Sequence, residues 1–88
     1  MTREAGHDRT VRLLAGRLEA IATARERLAA DAVALAGLEL DVRRALAATR
    51  NAVSLELLSP AEAGAIWEEA SRRHPQARLL VDWQTAAA

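Results

Sequence analysis

The sequence predicts a mostly α fold with a minor β component: a long heptad-patterned helix or helical hairpin over 8–51, followed by a small β-α-β unit over 53–83. Three observations carry this expectation. The first is a proline-free run from Asp8 to Asn51 with one apolar stripe at 3-4 spacing: Val11, Leu14, Leu18, Ile21, Leu28, Ala32, Leu35, Val42 and Leu46, broken by Arg25 and Glu39. A period near 3.5 keeps one seam in contact between two helices, as in a coiled coil. The second is Ser59-Pro60-Ala61-Glu62, a cap, a first-turn proline and a capping-box glutamate in order. The third is a change of period on either side of that signal, from helical to two-residue alternation.

Along the chain, residues 1–7 lack periodicity and are expected to be flexible, and Asp8 can cap the first helix. As one helix the run would extend ~66 Å at 1.5 Å per residue. A compact domain of this size has a radius of gyration of about 12 Å. The run therefore folds back on itself or pairs with another chain. Gly37 is the residue suited to a C-cap, with Asp41 opening a second helix. Against a break there, Leu28, Leu35 and Val42 stay seven apart, which favours continuity.

Beyond Asn51, Val53, Leu55 and Leu57 alternate with Ser54, Glu56 and Leu58 as in a short strand. The capped helix then carries Ala63, Ile66, Trp67 and Ala70 on one face and must end near Arg73, because the residue before Pro75 avoids helical geometry. Leu79, Val81 and Trp83 alternate again as a second strand, and 84–88 form a flexible tail. The whole is a single domain, 1–88.

Composition narrows the functional classes. With 22 alanines and 13 leucines but two aromatic residues, the chain is helix-rich with small packing units. It has no cysteine, so neither disulfides nor thiolate metal sites are available. A core this small gains from oligomerisation. All 12 basic residues are arginine and none is lysine, which fits codon bias in a GC-rich bacterial genome, and the net charge is zero. Zero charge argues against a dedicated nucleic-acid binder. No stretch approaches a membrane span and no secretion signal is visible, so a cytoplasmic protein is expected.

No constellation announces a chemistry. His7 and His74 lack a ligand or nucleophile partner at local spacing, and Ser54, Ser59 and Ser71 have no glycine elbow. No catalytic residue, cofactor or metal is expected. The expected interface is the stripe itself (Val11, Leu14, Leu18, Ile21, Arg25, Leu28, Leu35, Glu39, Val42 and Leu46) together with Trp67 and Trp83. In an antiparallel pair centred near Ala32, Arg25 would meet Glu39 of the other chain and set register. Arg72, Arg73, His74 and Arg78 are the candidate anion contact. The function expected is a non-catalytic protein–protein interaction module (adaptor, chaperone or assembly subunit) acting through an amphipathic helical surface, with a homo-oligomer, dimer favoured, or another protein chain as partner. The alternatives are a dimeric DNA-binding regulator or antitoxin, and a small enzyme or accessory subunit whose site is completed on assembly.

Overall fold

In the computed structural model, which describes residues 3–28 and 30–87, the chain is four helices: α1 Arg3–Arg27, α2 Ala32–Ser54, α3 Pro60–Arg73 and α4 Leu79–Ala87, with a single 3₁₀ turn, Pro75–Ala77, before α4. There is no strand among the described residues. α1 and α2 form an antiparallel hairpin. α3 lies beside both and runs parallel to α1, since His7 meets Glu62 at one end of the pair and Glu19 meets His74 at the other. α4 folds back along α3, placing Trp83 on Trp67 with ring centroids 5.5 Å apart.

The long run is a hairpin, broken between the end of α1 at Arg27 and the start of α2 at Ala32, ahead of Gly37, which lies inside α2. A carboxylate acts as the breaker. The Asp31 side chain accepts the Val33 and Ala34 amides at 3.1 and 3.0 Å, satisfying two of the unpaired donors at the start of α2. The heptad register thus passes through a turn without a continuous helix beneath it. α1 begins at Arg3, so Asp8 is an interior residue of the helix and not its cap.

The expected β-α-β unit is corrected to helix, turn and helix. Val53 and Ser54 are the last residues of α2, and Leu55 is its C-cap. Glu56 then adopts a left-handed φ of 60°, its amide bonds Val53 O, and the Leu57 amide bonds Ala52 O at 2.8 Å. That pair of bonds is the Schellman ending of a helix. It turns the alternating Val53, Leu55 and Leu57 into a helix exit, with Leu55 exposed and Leu57 packed on the core. The second alternation fails for a related reason. Leu79 and Trp83 are four apart and share the inner face of α4, while Val81 points to solvent. A two-residue and a four-residue period coincide over so short a span. Two isolated strands would also leave most of their backbone groups unpaired. The capping box between them is present: the Glu62 amide donates to Ser59 Oγ at 3.1 Å, and the Ser59 amide donates to Glu62 Oε1 at 3.0 Å.

The core is one cluster. Leu14, Leu18, Ile21 and Ala22 from α1 meet Val42, Ala45 and Ala52 from α2, then Leu58, Ala63, Trp67, Ala70, Ala77 and Leu79. Trp67 is fully buried and its indole N–H donates to Thr49 Oγ1 at 3.1 Å, while Thr49 donates to Ala45 O at 2.7 Å. The only buried polar side chain among the described residues is therefore satisfied twice.

Candidate interaction surface

α2 is the element that faces both ways. Its buried residues, Val42, Ala45, Thr49 and Ala52, all lie beyond its first ten residues. Its first nine residues, Ala32–Leu40, carry a single charge, Glu39. A helix that is apolar on all sides is normally buried on all sides. Here Val33 is 85% exposed and Leu40 51% exposed, and Ala32, Ala36, Gly37 and Ala47 are exposed with them. Val33, Ala36, Leu40 and Ala47 follow the 3-4-7 spacing of one helix face, opposite the face that carries Val42, Ala45, Thr49 and Ala52. Glu39, Arg43 and Arg44 border this face. All three are exposed and without an ion pair among the described residues.

The residues expected to form an interface lie mostly inside the chain. Leu14, Leu18, Ile21 and Val42 are core, and Val11, Leu46 and Trp83 pack on it, as does Trp67 within it. Leu28 and Leu35, beside the α1–α2 turn, are half-buried. Of the expected Arg25–Glu39 pairing between chains, Arg25 has partners within its own chain. Arg25 Nη1 bonds Asp82 Oδ2 at 2.6 Å and Ala77 O at 2.9 Å, so its guanidinium is used within its own fold. Glu39 remains exposed on α2.

The arginine–histidine cluster is likewise largely engaged. Arg72 pairs with Glu69 at 2.8 Å one turn earlier in α3. His74, the C-cap of α3, lies between two α1 carboxylates: Nε2 meets Glu19 Oε1 at 2.8 Å, and Nδ1 meets Glu26 Oε1. Both ring nitrogens face acceptors, so this geometry is satisfied only by the doubly protonated ring. The Glu19 and Glu26 hydrogen bonds accordingly raise the His74 pKa above its ordinary value, against an opposing desolvation, and the bond from His74 lowers that of Glu19. Arg72 is exposed despite its ion pair, and so are Arg73 and Arg78. They belong to different elements, Arg73 ending α3 and Arg78 standing in the left-handed link before α4.

At the opposite end of α1, His7 Nε2 bonds Glu62 Oε2, which raises the His7 pKa, and Asp8 adds to the effect. A groove of about 650 Å³ opens beside this pair, floored by Val53, Leu57, Leu58 and Pro60. Its Glu62 carboxylate is already shared between the Ser59 amide and His7. Among the described residues no group of three His, Asp or Glu side chains is arranged to hold a metal ion, and no helix is long and apolar enough to cross a membrane.

Sequence reasoning missed the outer face of α2, although a signal for it was there. Val33, Leu40 and Ala47 are seven apart, a second heptad row on the same helix as the inner one. Reading α2 as a helix in its own right would have separated the two. Comparison with protein-family models, with curated proteins and with solved structures finds no match for this chain.

Proposed function

We propose that this chain is a non-catalytic protein–protein interaction module, an adaptor, chaperone or assembly subunit, that docks a helical protein partner on the outward face of α2. The observation that carries the reading is the exposure of Val33 and Leu40 on a helix whose first nine residues are almost wholly apolar. From Val42 onward the inner face of the same helix is part of the core, which anchors the helix that carries the outer face. Small residues at Ala36, Gly37 and Ala47 let a second helix axis approach closely.

The experiment is a surface comparison by native mass spectrometry of complexes isolated from cells that naturally make the chain. Wild type is set beside Val33→Asp and Leu40→Arg on α2, with Leu13→Arg on α1 as an exposed apolar control. A defined protein partner, this chain or another, should be retained by wild type and by Leu13→Arg and lost by both α2 variants. Identical masses and partners for all four would overturn the reading.

A further inference from the structure

We propose that the occupant of the α2 face is a second copy of this chain, packed antiparallel about a two-fold axis at Leu40. The inference rests on the reading above and names the partner for that face. Val33 stands seven residues before Leu40 and Ala47 seven after it, on one exposed row. An antiparallel two-fold sets residues equally spaced from the axis against each other. Leu40 then meets its own copy, and each Val33 meets the partner's Ala47, a large side chain on a small one. Gly37, with no heavy atom within 4 Å of where a Cβ would stand, leaves room for the aliphatic stem of the partner's Arg44, which borders the same flank of the helix.

Charge supplies the independent argument. In an antiparallel pair, like flanks of the two helices face each other. Glu39 and Arg43 are one turn apart on the same flank, exposed, and without an ion pair among the described residues. The two-fold therefore brings Glu39 of each copy to the partner's Arg43, offset by only ~3 Å along the axis at 1.5 Å per residue, within the reach of both side chains. A parallel arrangement would set this flank against the other one and offer Glu39 the partner's Arg44 in place of Arg43, so cross-linking decides the direction. The net charge of zero leaves no long-range repulsion against the association.

The absence of cysteine makes a direct test available. Leu40→Cys should oxidise to a covalent dimer, because the two sulfurs face each other across the axis. Val33→Cys mixed with Ala47→Cys should cross-link to each other, whereas Val33→Cys alone should not. Self-cross-linking of Val33→Cys would show a parallel pair and overturn the geometry. In sedimentation equilibrium, wild type should give a dimer and Leu40→Arg a monomer of unchanged helicity. Glu39→Arg and Arg43→Glu should each raise the dimer Kd about tenfold, two ion pairs being lost per dimer. The double exchange should return it towards wild type, and a double exchange as weak as the singles would overturn the cross-chain pair. A wild-type monomer at every concentration would overturn self-association while leaving the docking of a different helix on α2 untouched, so the two readings fail separately.

Discussion

The first part of α2, Ala32–Leu40, is the more apolar part of the helix and the less buried one. From Val42 onward the helix buries Val42, Ala45, Thr49 and Ala52 against α1 and α3, whereas in Ala32–Leu40 no side chain is fully buried. Helix length explains the difference. α2 has 23 residues, ~35 Å, and α3 has 14, ~21 Å, so an α3 starting just past the end of α2 runs out before it reaches the beginning. Hydrophobic pattern makes a helix face available for burial. Which part is buried depends on what the rest of the chain is long enough to cover.

The sharpest way to break this comparison is to cut into each half. Trp67→Ala removes the fully buried indole packed beneath the second half and leaves Thr49 without its donor; it should cost about 3–5 kcal/mol in urea unfolding. Val33→Ala, at concentrations where the chain is monomeric, should change stability by about 0.5 kcal/mol or less. Equal losses would mean that the first half is packed after all.

Caps sharpen the comparison at smaller scale. Ser59→Ala should lower global stability by about 1 kcal/mol, since α3 belongs to the core unit. Asp31→Ala, which uncaps the uncovered half, should register first as faster hydrogen exchange at the Val33 and Ala34 amides, the two that Asp31 holds. If both variants act only on global stability, the halves of α2 do not differ in local opening.

Gly16→Ala should stabilise by up to about 1 kcal/mol, because the position is helical and open around a Cβ. Gly37→Ala has the same intrinsic gain in the monomer. A Gly37→Ala chain that is more stable as a monomer but dimerises less well would separate helix propensity from packing at the proposed contact.

The smallest effect concerns pH, and it tests the side of the bundle away from the α2 face. His74 and His7 both have pKa values raised by carboxylates reached across the α1–α3 contact. Their stabilisation is complete below the ordinary histidine value and is lost as pH rises through the raised, folded-state values. Glu19 and Glu62 are lowered, so their contribution is present above the ordinary carboxylate value and lost as pH falls through the lowered ones. Tm should therefore decline on both flanks of a mildly acidic plateau, and His74→Gln with His7→Gln should flatten the alkaline flank. An alkaline flank unchanged in the double variant would mean that neither histidine is held as a cation in the fold.

Much of the helical architecture was legible in local chemistry. Ser59, Pro60 and Glu62 open α3, Pro75 closes it after Arg73, and the inner stripe of Leu14, Leu18, Ile21 and Val42 is indeed an apolar face. These signals act within one or two turns, where backbone and side chain compete directly. The candidate surface was less legible because one stripe spans two helices, and its inner row, stronger in leucine, masks the outer row at Val33, Leu40 and Ala47. The alternation at 53–58 misled because a helix exit and a strand place apolar residues alike over six positions.

By itself, then, the sequence determined that this chain is dominated by helix, where α3 starts and stops, and which residues are apolar enough to be buried. Tertiary structure decided who meets whom. Arg25 finds Asp82 across 57 positions, His74 finds Glu19 and Glu26, and Trp67 finds Thr49 and Trp83. It also decided that the inner stripe is covered by the chain's own α3 and α4. The physical reason is that capping and periodicity are local free-energy choices of about 1 kcal/mol, readable residue by residue. Burial of a face depends on the lengths and directions of helices far away in the chain, which no local pattern encodes.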